Sequence, residues 1–171
     1  MRKNQVSSNE YGAFYQSYFE LTGAGTIVFE LEQSRDKIYS LFASLTAEEW
    51  EHRYAVGKWS LKEMMMHLIE TERVFAFRAF WISRDPATPL PGFDQDTFVT
   101  HSNVEARTTA SLLSEYEGVR AETTRLFTSF SQDQLQQLGQ ASGAPLSVRA
   151  AGYLISGHEL SHLKVIHERY L

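Results

Sequence analysis

Cysteine is absent from the 171 residues. That excludes disulfides, cysteine nucleophiles, iron–sulfur clusters and every zinc site that uses a thiolate. Proline is scarce, with four residues, and ten glycines leave room for long helices. No stretch approaches the ~18 consecutive apolar residues of a membrane span. The start, MRKNQVSSNEYGAFYQSYF, is basic but lacks the apolar segment of a secretion signal. The expected location is the cytoplasm, with no membrane anchor. Positive charge is not in excess either: 16 basic against 21 acidic residues give −5, unlike the basic footprint of a nucleic-acid binder. What is present is a globular balance, 43% apolar and 13% aromatic. The length predicts one domain over residues 1–171, with about 1–20 as an N-terminal extension.

Four long segments carry a helical period, and none shows a strand pattern. The first runs from about Gly25 to Leu45, with Ile27, Leu31, Ile38 and Phe42 on one stripe. Thr46 and Glu49 form a capping box for a short turn after it. Ser60 and Glu63 form another, with Trp59 and Met64 as its hydrophobic staple, opening a helix whose stripe holds His67, Thr71, Phe75 and Arg78. Arg84 to Asn103 has three prolines and no period, a connection of about 20 residues of the kind that is often functional. The third helix spans about Val104 to Phe130. Residues Gly139 to Pro145 read as a loop, and the fourth helix starts at a Ser147 cap and carries Leu154, Ile155, His158 and His162. Four amphipathic helices predict an all-α four-helix bundle. A link of about 20 residues can run back along a whole helix, so the expected topology is up-down-down-up, with one long crossover between helices two and three.

Three of the six histidines lie on apolar stripes: His67, His158 and His162. His158 and His162 are one turn apart, near enough to share a metal or to be two core rings bonded to each other. Burying two imidazoles without partners is costly, so partners are required. If helices two and four are antiparallel, His67 falls at the depth of the pair; parallel packing would separate them by roughly 9 Å. His158-Glu159-Leu160-Ser161-His162 also spells HExxH, the zincin motif. The protease reading fails further on, where Val165 and Glu168 occupy the places of the glycine and third histidine of the extended motif. Glu159 is the candidate catalytic carboxylate, a base at the metal, with a solvated flank position as its alternative. His52 and His101 fall in connections, and His167 points away from His162.

Together these residues resemble the DinB/YfiT-like superfamily. The resemblance is carried by Gly57-Lys58-Trp59-Ser60, by His67 with Glu70, Glu72 and Arg73, by Arg78, by Leu90-Pro91-Gly92-Phe93-Asp94, by Tyr116 to Arg120, and by Gly157 to His162. It implies the up-down-down-up bundle, a divalent metal held by His67, His158 and His162, and often a homodimer. Characterised members use low-molecular-weight thiols, as bacillithiol S-transferases and as mycothiol- or glutathione-dependent maleylpyruvate isomerases. Leu163 stands where many relatives carry a further histidine.

Three imidazoles leave a divalent ion with open positions, the catalytic pattern, and zinc, nickel, iron and manganese all suit them. The expected function is metal-dependent transfer of a low-molecular-weight thiol to a small electrophile, or thiol-assisted isomerisation. The alternatives are a metal-dependent hydrolase and a non-catalytic metal-binding stress protein. A cavity walled by Pro86–Phe98 would favour the enzyme, and a fourth ligand such as His101 the binding role. Glu70 is expected to face solvent or pair with Arg73, with acceptance of a ligand histidine's N–H as its alternative. Arg78 and Arg120 are each expected to pair with an internal carboxylate, with an anionic thiol cofactor as the alternative partner, and Tyr116 to fill the core, with a hydrogen-bond donor near the site as its alternative.

Overall fold

A computed structural model describes residues 2–171. Its helices are α1 (Gln16–Leu21), α2 (Ile27–Ser44), α3 (Ala47–Glu51), α4 (Leu61–Ile82), α5 (Gln95–His101), α6 (Thr109–Ser129), α7 (Gln132–Leu135) and α8 (Val148–Arg169). Strands β1 (Leu138–Ala141) and β2 (Ala144–Ser147) form an antiparallel hairpin. No described helix is long and apolar enough to cross a membrane.

Hydroxyl caps start all four long helices. The side chains of Thr26, Ser60, Thr108 and Ser147 accept from the backbone N–H groups of Phe29, Glu63, Ser111 and Ala150. Each such cap stabilises its helix by about 1 kcal/mol. The Thr46–Glu49 and Ser60–Glu63 boxes both close. The third helix begins later than its periodicity suggests, because the Thr108 cap starts it and Val104–Ala106 forms a separate 3-10 turn.

Cross-helix contacts fix the directions. The Tyr170 hydroxyl at the end of α8 donates to the Trp59 carbonyl just before α4, at 2.7 Å, so these helices are antiparallel. The Tyr153 hydroxyl near the start of α8 donates to Gly25 O just before α2, at 3.0 Å, so those are parallel. Arg120 on α6 reaches Leu31 O while Arg35 lies 3.9 Å from Glu117, a descending register that makes α2 and α6 antiparallel. Lys62 Nζ donates to Glu105 O just ahead of α6, and Glu72 pairs with Arg120 further along, so α4 and α6 are parallel. The bundle is up-down-down-up, as expected, with the crossover between α4 and α6.

Two features depart from the sequence reading. The crossover is not wholly irregular: Asp94 caps α5 by accepting from Thr97 N–H at 2.7 Å. Seven residues are too short for a period to show. The expected loop at Gly139–Pro145 is instead the hairpin, turning through Ser142 and Gly143, both at positive φ. It anchors the crossover: Leu90 N–H donates to Gln140 O, and Ser142 N–H donates to Leu90 O.

The N-terminal residues pack on the bundle. Tyr11 and Phe19 are buried, and Glu10 accepts from Arg149 and Ser147 on the neighbouring helix start. Gly157 permits this approach, since a Cβ there would sit 2.1 Å from the Tyr18 carbonyl oxygen.

The core forms two apolar clusters. One gathers Ile27, Leu31, Phe75, Phe127 and Leu154 at the hairpin end; the other gathers Ile38, Phe42, Met65, Leu112 and Ile166 at the opposite end. Between them lie buried polar residues from all four helices, including Ser34, Glu72, Arg120, Ser156 and Glu159. The three histidines border this layer.

Candidate metal centre

Helix α4 presents His67, and α8 presents His158 and, one turn on, His162. Their Nε2 atoms form a near-equilateral triangle: His67–His158 3.0 Å, His67–His162 3.2 Å and His158–His162 3.0 Å. Hydrogen bonding cannot satisfy this arrangement. A neutral imidazole nitrogen carries either a proton or a lone pair. Of three nitrogens with two choices, at least two are alike, so at least one short contact sets like against like. A cation at the centre removes the conflict. Nitrogens each about 2.0–2.1 Å from one ion lie about 2.9–3.4 Å apart, which matches the observed edges. Among the described residues these three form the one group of potential ligands close enough to hold an ion.

The rings are pre-set for that task. His67 is 1% exposed and His158 6%. Burial and the neighbouring His162 lower the pKa of His67 to about 3; burial lowers His162 to about 4, although its edge reaches a cavity. Burial, then His162 and His67, hold His158 well below the ordinary imidazole range. All three are neutral at pH 7, the state that coordinates. Thr71, one turn along α4, lies 3.4 Å from His67 Nδ1. A proton on that nitrogen leaves the Nε2 lone pair facing the triangle. Trp59 packs against the His67 ring, and Tyr18 meets His158 edge-on.

The polar layer grips the next residue of α8. Glu159 is 2% exposed; its Oε1 accepts from the Tyr116 hydroxyl at 2.6 Å and lies 2.6 Å from Arg120 Nη2. Arg120 also binds Glu72 through two hydrogen bonds of 2.9 and 2.8 Å and reaches Ser34 and the Leu31 carbonyl. The solvated alternative for Glu159 is therefore overturned, because bundle closure turns that flank toward α6. Its carboxylate is held between Arg120 and Tyr116 rather than in a cavity wall. Burial pushes its pKa up, Arg120 pulls it down, and Glu72 adds to the rise. Tyr116 is buried as expected, and the Glu159 bond adds a polar role.

The expected pairing holds for Arg120 and fails for Arg78. Arg78 is 2% exposed, yet its Nη2 donates to Pro91 O at 2.9 Å and Ser142 Oγ at 2.8 Å, and its Nη1 has no hydrogen-bond partner. Arg73 pairs with Glu115 at 2.6 Å rather than with Glu70. Glu70 is half-buried with an unpartnered Oε2, and burial raises its pKa against the pull of Arg73.

Two cavities of about 330 and 360 Å³ flank the triangle. The first touches His67 and His158 and is walled by Thr71 and Phe75 of α4, Phe93 and Asp94 of the crossover, and Ser142 of the hairpin. The second touches His162, with Trp59 and Tyr170 among its walls. Gln95 and Asp96 border both. The crossover thus walls the cavities, as the enzymatic reading requires. His101 is exposed, with Nδ1 2.8 Å from Thr97 O, and is not part of the triangle; His52 and His167 are exposed as well. Sequence reasoning missed the wall supplied by Phe14, Tyr15 and Tyr18. The available signal was the aromatic density of residues 11–19.

The sequence profile of the DinB superfamily matches residues 30–166. The chain is 23% identical over 143 residues to OB0413 of Oceanobacillus iheyensis, covering 80% of each; that protein's name assigns it provisionally to the metal-dependent hydrolases. Among solved structures it resembles YfiT of Bacillus subtilis, described provisionally as a metal-dependent hydrolase with an unusual four-helix bundle topology. The TM-score is 0.74 at 14% identity, over 83% of this chain and 82% of YfiT. It also resembles a mycothiol-dependent maleylpyruvate isomerase, with a TM-score of 0.65 at 12% identity over 81% of this chain and 58% of that one. These likenesses are in fold.

Proposed function

The chain belongs to the DinB superfamily, and from that premise we propose that it is a metal-dependent enzyme that joins a low-molecular-weight thiol to a small electrophile or uses the thiol to isomerise it. His67, His158 and His162 would hold the divalent ion. The observation that carries the reading is the triangle of neutral Nε2 atoms opening onto two cavities, one for each partner of a two-substrate reaction. The likeness to a mycothiol-dependent isomerase supports it.

When bound, such an ion supplies Lewis acidity that favours the thiolate, the better nucleophile. The chain's own residues do the rest. Thr71 orients His67, and the packing of Trp59 and Tyr18 fixes two ring planes. Arg120 and Tyr116 hold Glu159 and with it the backbone next to His158. Phe14, Tyr15 and Phe75 give the first cavity an aromatic wall against which an apolar part of a substrate can pack. In the transfer, the S–C bond forms as the bond from carbon to the leaving group breaks, and the thiol proton departs with that group.

The names of OB0413 and YfiT favour a second reading, hydrolysis at the same centre. Protein loaded in turn with zinc, nickel, manganese and iron, assayed with glutathione, bacillithiol and mycothiol against 1-chloro-2,4-dinitrobenzene, and with 4-nitrophenyl acetate with and without thiol, separates the two. The proposal expects a thiol-dependent rate above background that disappears in His158→Ala. Ester hydrolysis that is indifferent to added thiol would replace it with the hydrolase reading.

A further inference from the structure

Phe14 is 59% exposed, although the N-terminal segment that carries it is packed down on the bundle. Tyr11 and Phe19, on either side of it, are buried, and Tyr11 pairs through its backbone with Leu146 of the hairpin. Gly12 keeps the Phe14 ring where it is. A Cβ there would lie 2.6 Å from Phe14 Cε1 and 2.9 Å from Ala144 Cβ, so a larger residue would displace the ring or the hairpin. One exposed apolar side chain by itself means little. Phe14, however, is one end of a continuous wall of rings.

Between ring centroids, Phe14 meets Tyr15 at 4.2 Å, Tyr15 meets Phe75 at 5.6 Å and Tyr18 at 6.2 Å, and Tyr18 meets His158 at 5.5 Å. All five residues line the first cavity, and Phe93 adds a sixth ring. The planes cross at angles from 38° to 80°, so the wall offers both ring faces and ring edges. Arg78 braces two of the rings without lining the cavity: its guanidinium carbon lies 5.6 and 5.8 Å from the centroids of Phe75 and Phe93. The second cavity differs in charge. Lys58 is among its walls, a cation suited to a charged partner, whereas no lysine or arginine lines the first. The match to the family profile begins at residue 30, so Phe14, Tyr15 and Tyr18 lie outside it.

We propose that the first cavity seats the electrophile, and that this electrophile carries an aromatic ring gripped by Phe14, Tyr15 and Tyr18 of the N-terminal segment. Offset-stacked and edge-on contacts between rings add to the gain from apolar burial. A saturated ring of the same size has the burial without that addition. A cavity of about 330 Å³ is at the small end of the ligand-site range, which suits a single ring with a short substituent. This assignment rests on the proposed function in taking the three histidines as the reacting centre, but recognition of the ring is read by binding and needs no turnover.

Full-length protein is titrated with 2-phenylethanol and with 2-cyclohexylethanol, followed by protein-observed NMR. The saturated alcohol is the more hydrophobic of the two, so a cavity that selects only for apolar surface prefers it. The wild type should instead bind the phenyl compound at least about threefold more tightly, the size expected of a ring–ring contact. Phe14→Leu and Tyr15→Leu should each lower that ratio, to one or below when combined. Phe14 is exposed, so its variant keeps the test sound should Tyr15→Leu fail to fold; the amide spectrum reports folding. Phe77→Leu replaces a half-exposed ring of α4 outside the cavity and should leave the ratio unchanged. A wild type that prefers the saturated ring, binds both equally or binds neither would overturn the proposal, as would an unchanged ratio in folded Phe14→Leu or a ratio lost in Phe77→Leu. A phenyl preference in a protein that turns over no thiol would leave the ring site standing and remove the proposed function. Thiol turnover without the preference would do the reverse.

Discussion

Arg120 and Arg78 are equally hidden, at 3% and 2% exposure, and oppositely equipped. Arg120 has two carboxylates, a hydroxyl and a carbonyl around it, and it ties together all four long helices. Arg78 has a carbonyl, a hydroxyl, two ring faces and an unused Nη1. The first arginine is held by charged partners; the second is held by neutral groups alone. Burial alone therefore does not distinguish an arginine locked in ion pairs from one held by dipoles and ring faces. The inventory of partners does.

The comparison can be broken most sharply at Arg120. Arg120→Met strands two buried carboxylates, so unfolding in urea should show a loss of about 3–5 kcal/mol. At about 2–4 °C per kcal/mol, Tm should fall by about 10 °C. A loss no greater than that of Arg78→Met would erase the contrast. Tyr116→Phe removes the hydroxyl that donates to Glu159 at 2.6 Å. It should cost about 1.5–3 kcal/mol by the same measurement, since the acceptor is ionisable and buried.

A third arginine sharpens the scale. Arg149, near the start of α8, binds Glu10 at 2.6 Å. Burial pushes the Glu10 carboxyl up, but bonds from Arg149, Ser7 and Ser147 outweigh it and hold the group below its ordinary 4.5. The unfolded chain therefore takes up this proton first as pH falls. The contribution is whole above about pH 4.5 and is lost as pH drops through the lower native value. Glu10→Gln should cost about 1–2 kcal/mol at pH 7, with the gap to wild type closing below pH 4.5 in denaturation curves. The smallest effect belongs to Arg78→Met. It should lie within about 1 kcal/mol of wild type, because two lost hydrogen bonds are offset by relief of an uncompensated charge.

Much of the scaffold was legible because strong local signals agreed with the tertiary arrangement. The Ser60–Glu63 box and the apolar stripes located the long helices, and the length of the crossover gave the topology. The depths of His67, His158 and His162 along antiparallel helices foretold the triangle. The rest depends on which helix faces which. Periodicity put Arg78 and Arg120 on similar stripes, and only the packed bundle shows that α8 brings Glu159 to one and that only crossover and hairpin meet the other. Glu159 read as a base at the metal or a solvated flank residue, because one helix considered alone cannot show that α6 covers it. The hairpin was invisible because two four-residue strands are too short to alternate detectably. The N-terminal wall was missed because Gly157 signals close approach only once Tyr18 is seen against it.

The central claim is that three neutral imidazoles hold one divalent ion, and metal stoichiometry tests it most directly. Wild type and His158→Ala, each exposed to zinc and desalted, should retain about one ion and close to none per chain by elemental analysis. Equal retention by the two proteins would contradict the account.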